Sequence, residues 1–288
     1  MQFKVLALAT TSLAALALAA APANAKKGMS GVVNLGTGHT WQDQDNAPDI
    51  DDQFMNVFGG AQVNFAYSDN VNVQIDVNGD SAYANEEDDN NFGTAFTAGL
   101  HVNYSNEDGF LGVFGATGRT SGIDENTTSF YAAGIEGQLT CETWLVGGQI
   151  GWLDSAGEND SGTDDDYLSN AGFVRAHGTW FASPKLALGA ALAYVDGEQD
   201  SVDDAVLWEW TVTAEKMVGT NTSVFVEYRG VDVEESGTDD DEFDSHTLSA
   251  GFRFHFNATD LYSSAVEGPS AHALRFGRWV SEAGEQID

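Results

Sequence analysis

Hydrophobic and polar side chains alternate along many short stretches of this chain. In the stretch 247–256 every even-numbered position is apolar, and the odd-numbered positions are Thr, Ser, Gly, Arg and His. The stretches 71–78, 96–104 and 206–214 place apolar residues at every second position in the same way. Because successive strand side chains point to opposite faces, each stretch is predicted to be a β-strand with one apolar face.

About twelve such stretches follow one another. They are 29–42, 53–67, 71–83, 92–104, 110–120, 128–139, 144–154, 167–181, 185–196, 205–217, 222–233 and 244–257. The fifth is ambiguous, because glycines interrupt both of its faces. The number and regular spacing of the stretches predict an all-β fold.

The eleven connections between these strands alternate between short turns and long acidic segments. The short ones are 68–70, 105–109, 140–143, 182–184 and 219–221, and they are rich in turn-forming residues. The long ones are 42–52, 84–91, 121–127, 154–166, 196–204 and 234–244. In an up-and-down antiparallel sheet every second connection lies at the same end. The alternation therefore predicts a sheet that is trimmed at one end and elaborated at the other.

Net charge and cysteine content exclude several classes of protein. Asp and Glu number 45 against 11 Lys and Arg, which gives a formal net charge of −34. This excess excludes sequence-independent nucleic-acid binding and docking onto an anionic leaflet through a basic surface. The 17 Phe, 8 Tyr and 7 Trp argue against disorder. Cys141, the lone cysteine, excludes a disulfide framework and is expected to be a free thiol in a short turn.

The N-terminus has the three-part pattern of a secretory signal peptide. Lys4 precedes a run of small and apolar residues from Val5 to Ala21, and 23–25 is an A-x-A cleavage sequence. We therefore expect residues 1–25 to be removed and the mature chain to start at Lys26. No later run approaches the ~20 apolar residues of a spanning helix.

Taken together, these features resemble a Gram-negative outer-membrane β-barrel protein of the porin-like kind. The signal peptide, the alternating strands, the asymmetric connections and the aromatic-ended last strand 251–256 carry the resemblance. It implies a closed up-and-down antiparallel transmembrane β-barrel of about 12 strands over residues 26–257, in the outer membrane and in contact with its lipids. Aromatic residues near strand ends suit the two lipid–water interfaces: Trp41, Tyr67, Tyr104, Trp144, Trp152, Trp180, Tyr194, Trp208, Trp210 and Phe256. A soluble β-sandwich is the alternative fold.

Residues 258–288 depart from the resemblance, since members of this group usually end at the terminal Phe. We expect a periplasmic C-terminal tail, with a frayed tail as its simplest state. The apolar residues Leu274, Phe276, Trp279 and Val280 also allow a short helix over 271–283 that plugs the periplasmic mouth or binds a partner.

The polar strand faces would line the lumen of such a barrel. The predicted lining residues are Asp76, His101, Glu136, Arg175, His177, Glu209, Glu215, Glu227, Arg229, Arg253 and His255. They could act as a transverse field that sorts solutes or as a structural network of ion pairs. About 30 of the 45 acidic residues lie in the long connections, and they would attract cations to that mouth. The sequence thus predicts a channel for passive diffusion of small hydrophilic solutes or ions, mildly cation-preferring and without enzymatic activity.

Two other functions stay open. One is a non-conducting structural or adhesive barrel whose acidic loops hold Ca²⁺ loosely, through runs such as 164–166 and 239–242. The EF-hand-like spacing in 76–87 lacks the glycine that the motif requires, so no cofactor is predicted there. The other is a hydrolase built around His39 with Asp43 and Asp45, or around His246 with Asp244 and Ser245. Neither the solute nor the oligomeric state follows from the sequence.

Overall fold

A computed structural model describes residues 28–44, 52–84, 92–121, 127–157, 167–199, 203–236, 242–266 and 275–282. These residues form twelve strands and two short helices. The strands are β1 (Met29–Gln44), β2 (Asp52–Ala66), β3 (Val71–Ala84), β4 (Phe92–Asn106), β5 (Gly109–Ser121), β6 (Thr127–Cys141), β7 (Trp144–Gly157), β8 (Leu168–Ser183), β9 (Leu186–Gln199), β10 (Asp203–Met217), β11 (Thr222–Ser236) and β12 (Glu242–Phe256). The helices are α1 (Leu261–Val266) and α2 (Phe276–Glu282).

Each strand pairs with its neighbours in the chain, and β1 pairs with β12 to close the barrel. All pairs are antiparallel, and the closing pair runs from Gly31 opposite Phe256 to Gln44 opposite Phe243. The ring of Phe256 lies against Gly31, where any side chain would collide with it. The predicted closed barrel of about 12 strands is thus confirmed, and the soluble sandwich is not what forms.

Side chains divide between the two faces of the barrel wall as the alternation predicts. Large apolar residues that stand exposed on the outer face include Leu35, Val57, Ile75, Leu100, Ile135, Val146, Val174, Leu192, Val212, Val226 and Phe252. Aromatic pairs lie near both rims, such as Trp144 stacked on Trp180 and Tyr194 beside Trp208. Phe256 is the exception among the predicted rim aromatics, because its contact with Gly31 buries it.

The strands extend further towards the long connections than the sequence predicts. The segment 196–204 was expected to be a loop, but β9 continues to Gln199 and β10 begins at Asp203, so that only 200–202 lie between them. Asp203 pairs with Gln199 at the end of this hairpin. Backbone pairing does not need apolar side chains, so the ladder continues past the last apolar position into acidic residues.

The two short helices are not part of the barrel wall, but they fill part of its lumen. No helix among the described ranges is long and apolar enough to cross a membrane. The amide of Leu261 donates a hydrogen bond to the carbonyl of Pro184, which places the start of α1 at the end with the short turns. Helix α2 lies inside the barrel against β4, β5, β6 and β8. The C-terminal residues were expected to form a frayed tail or a short helix over 271–283 that plugs the mouth, and α2 lies within that range, inside the barrel.

Candidate functional site

The inner face of the barrel holds the eleven residues that the sequence predicts there. Ten of them are buried, and Arg253 is half-buried. They form one cluster on β3, β4 and β6 and a second on β8, β10, β11 and β12, and His177 lies two residues along β8 from Arg175. The structure therefore shows where the side chains lie, while their role in conduction stays a prediction.

The first cluster consists of Asp76 on β3, His101 on β4 and Glu136 on β6. His101 Nε2 lies 2.5 Å from Asp76 Oδ1, and its Nδ1 lies 2.9 Å from Glu136 Oε1. Because both ring nitrogens face carboxylate oxygens, a doubly protonated imidazole donates to both. Gln149 Nε2 donates a further hydrogen bond of 3.1 Å to Glu136 Oε2. With Gln149 on β7, these contacts join four strands of the wall.

The second cluster lies on β8, β10, β11 and β12. Arg229 Nε donates to Glu209 Oε2 over 2.7 Å, and Arg175 Nη2 lies 3.7 Å from Glu209 Oε1. Glu215 accepts hydrogen bonds from Arg253 and from the hydroxyl of Ser223. The strand register offsets these charges, with Arg229 opposite Thr211 and Arg253 opposite Ser223. Their long side chains therefore reach diagonally across the strands to Glu209 and Glu215.

Two histidines on this wall have different surroundings. His255 Nε2 lies 3.0 Å from Glu215 Oε1, and its Nδ1 lies 2.8 Å from the hydroxyl of Ser264 on α1. His255 thereby links the wall to the tail at the short-turn end. His177 faces Gly147 across the β7–β8 pair, where an added Cβ would come within 2.5 Å of its ring. The glycine leaves the space that the imidazole occupies.

The tail supplies residues of the lumen that the sequence did not assign. Arg275 Nη1 donates to Glu227 Oε1 over 2.9 Å, and Arg278 Nε donates to Asp80 Oδ2 over 2.7 Å. Trp279 Nε1 donates to Glu209 Oε2 over 3.0 Å. These contacts connect α2 to β3 and β10, and the preceding Arg275 to β11, so the tail crosses the lumen rather than resting on one side of it.

Helix α2 also buries apolar side chains. Phe276, Trp279 and Val280 have exposed fractions of 2, 2 and 0 %. The ring of Phe276 packs on Phe114 and Phe173, with centroids 6.2 and 5.1 Å apart. The other buried members of this apolar cluster lie mostly in the long-loop half of the wall: Phe130, Ala132, Leu153, Tyr167, Leu168, Ala171, Ala193, Val195, Ala205, Leu207, Val231 and Val233. In the long-loop half of the barrel, the lumen is therefore packed like a protein core.

A cavity of about 180 Å³ lies between α1 and the start of α2. Its charged lining comprises Arg175, Glu209, Glu215, Glu227, Arg229, Arg253, Arg275 and Arg278. The chain has six arginines in all, and only Arg119, exposed on the outer face, lies elsewhere. Apolar side chains close the cavity at the short-turn end. Around Leu261 of α1 pack Leu145, Phe181, Ala187 and Met217.

Of the two candidate hydrolase sites, the one around His246 is not assembled as the sequence suggested. His246 is half-buried on the outer face, where it stacks on Tyr228 with ring centroids 5.9 Å apart. Ser245 is buried on the opposite face of the same strand, so these two cannot form a nucleophile–base pair. His39 packs near Trp41. The side chains of Asp43 and Asp45, its proposed partners, lie outside the described residues.

The calcium candidates give no site in the described part of the chain. Residues 76–80 belong to strand β3 rather than to a loop, and Asp76 and Asp80 are engaged by His101 and Arg278. Among the described residues, no group of three or more His, Cys, Asp or Glu could hold a metal ion. Segments 164–166 and 239–241 lie outside the described residues. Cys141 is an exposed free cysteine.

Comparison with known proteins finds similarity in structure but not in sequence. No protein-family model matches the chain. No curated protein matches it either. An outer membrane channel from Pseudomonas putida F1 is 13% identical, with a TM-score of 0.53, over 82% of this chain and 99% of the other. The translocator domain of the autotransporter NalP from Neisseria meningitidis is 12% identical, with a TM-score of 0.50, over 86% and 95%.

At such low identity these matches establish the fold alone. They agree with the closed antiparallel barrel described above. The chain has the fold of an outer-membrane β-barrel, as its sequence predicted.

Proposed function

We propose that this protein is an outer-membrane channel for small hydrophilic solutes or ions, closed in this structure by its own C-terminal segment. The charged cavity is the observation that carries the proposal. A wall built only for stability has no need of five arginines and three glutamates around an open volume, because buried ion pairs often stabilise no more than well-packed apolar residues. The similarity to the Pseudomonas outer membrane channel supports the same function.

Barrel size supports a passage as well. An eight-stranded barrel is just wide enough for wall side chains to fill, whereas 16–18 strands leave an aqueous channel. Twelve strands lie between these limits, and here α2 occupies the space that the wall leaves. Departure of the tail would therefore open a passage that is charged around the cavity and apolar in the long-loop half of the wall. The apolar outer face of the barrel suits contact with membrane lipids.

Departure of the tail also changes the charge of the wall. In the closed state Asp80, Glu209, Glu215 and Glu227 are balanced by five arginines, counting Arg275 and Arg278 from the tail. Without the tail three arginines remain against four carboxylates. We therefore propose that the open channel prefers cations mildly, in the same direction as the acidic long connections.

Single-channel recording tests the function. The full-length protein should show rare openings in a planar bilayer, and a variant that ends after Asn257 should stay open with a higher conductance. A variant that ends after Glu282 serves as the control, because it keeps α2 and should behave like the full chain. In a potassium chloride gradient, the shorter variant should give a cation-preferring reversal potential.

A permanently closed structural barrel is the second candidate, and the complete burial of Val280 and Trp279 favours it. The same recording separates the two functions. If the variant that ends after Asn257 folds as a barrel and passes no current, the channel function is wrong. An anion-preferring potential would overturn the proposed preference alone.

A further inference from the structure

We propose that the cavity between α1 and α2 is a binding site for a small monocarboxylate in the tail-closed state. The proposal begins from the distribution of arginine. Five of the six arginines in a chain of net charge −34 line one cavity of about 180 Å³. Roughly 10–15 Å³ suffices for one water molecule. The cavity therefore has room for a small organic solute together with water.

Four of these arginines are matched one to one by carboxylates. Arg229 pairs with Glu209, Arg253 with Glu215, Arg275 with Glu227 and Arg278 with Asp80. Each acid of the cavity has a further hydrogen-bond donor. Trp279 donates to Glu209, Ser223 to Glu215 and Thr213 to Glu227. The carboxylates are thus well satisfied without Arg175.

Arg175 is the surplus cation. Its exposed fraction is 7%, and its contact with Glu209 measures 3.7 Å, which is too long for a hydrogen bond. Its Nε has no hydrogen-bond partner among the described residues. Gln62, which also lines the cavity, has a buried Nε2 without a partner in the same part of the chain. A buried guanidinium with unused donors is costly unless a ligand or water pairs with it.

The guanidinium of Arg175, the surplus cation, indicates which class of ligand the cavity would bind. A guanidinium presents two parallel N–H groups that match the two oxygens of a carboxylate. One unmatched positive charge calls for one negative charge, which favours a monoanion over a dianion. Leu261 and Ala265 of α1 give the lower wall apolar surface, which suits the short carbon chain of such a solute.

Calorimetric titration of the full-length, detergent-folded protein tests the site. Sodium acetate is the probe, and sodium chloride and sodium phosphate at equal ionic strength are the comparisons. Acetate should bind with one site per chain, and more tightly than either of the other anions. Preference for phosphate would overturn the monocarboxylate assignment, and equal response to chloride would overturn the site.

Substitutions locate the site. Arg175→Gln should weaken acetate binding by at least about tenfold, which is the loss expected for a charge-assisted hydrogen bond. Gln62→Met, which keeps the length of the side chain, should weaken it less. Arg119→Gln removes the sixth arginine from the outer face and should leave binding unchanged. Unaltered binding in Arg175→Gln with an intact β-sheet circular dichroism spectrum would overturn the proposal.

Binding does not depend on the channel function, because it is measured without conduction. If the protein binds acetate and never conducts, the binding site is supported and the channel function is wrong. If it conducts and does not bind acetate, the channel function is supported and the binding site is wrong.

Discussion

The lumen contains two regions that differ in what fills them. In the long-loop half, Phe276 and Trp279 of α2 pack among buried aromatic and aliphatic wall residues. In the middle of the barrel, arginines and glutamates surround a cavity. The first region resembles a protein core, in which every lost contact costs stability. The second resembles a binding site, in which polar groups remain available to a solute.

The tail belongs to both regions. Its aromatic residues fill the upper region, while Arg275 and Arg278 complete the charged one. Since docking depends on both kinds of contact, apolar and charged substitutions should affect it to different extents. This difference can be measured.

The largest effect is expected from Trp279→Ala. Replacing a buried Trp by Ala in a core costs about 3–5 kcal/mol, and this side chain also donates to Glu209. At about 1.4 kcal/mol per factor of ten, the undocked fraction of the tail should rise by about a hundredfold or more. Opening frequency in a planar bilayer and protease cleavage of the tail report it. Val266→Ala is the control, because Val266 is 38% exposed; an equal effect of both variants would refute core-like packing around α2.

His101→Ala tests the charged cluster on β3, β4 and β6. It leaves Asp76 and Glu136 buried without their shared cation, and loss of one partner from a buried pair costs about 3–5 kcal/mol. The unfolding midpoint in urea should fall accordingly, while protease cleavage of the tail should not change. His246→Ala, on the outer face, should cost less than about 1 kcal/mol. Similar midpoints for the two variants would show that the buried cluster does not hold the strands together.

A smaller effect is expected at the ion pair between Arg275 and Glu227. Arg275 is a third exposed, so water screens the pair, and Arg275→Gln should weaken tail docking by about 1–2 kcal/mol. Glu227→Gln on the same background should restore part of the loss, because no carboxylate is then left unpaired. A double-mutant cycle read by opening frequency measures the coupling. Strictly additive effects would mean that the two side chains act independently.

The sequence predicted the strands of the barrel wall better than the segments that fill the lumen. Period-two alternation defined the strands and the inward direction of Glu209 and Arg253, because strand geometry fixes which face each side chain takes. It did not define how far the strands run past 196, since backbone pairing continues where the apolar signal has ended.

The position of the tail was predicted only in part: a helix over 271–283 that plugs the mouth was one of its expected states, but the wall residues that it covers were not predicted. The signal was present as apolar residues on the inward face, such as Phe114 in the ambiguous fifth strand and Phe173 in β8. They imply that something apolar must cover them inside the lumen. Whether Phe276 and Trp279 or a loop does so depends on contacts between residues more than a hundred positions apart, which no local pattern encodes.

The account depends most on one claim, that α2 must leave before the lumen conducts. A Cβ added to Gly277 would lie 3.0 Å from the Cβ of Ala95 on β4, and a shift of about half an ångström brings the pair into the ~3.5–4.5 Å range of disulfides. The variant with Gly277→Cys and Ala95→Cys, together with Cys141→Ser, should therefore lock α2 to the wall when oxidised. In single-channel recordings, we expect no openings from the oxidised protein and restored openings after reduction. Equal conductance before and after reduction would contradict the claim.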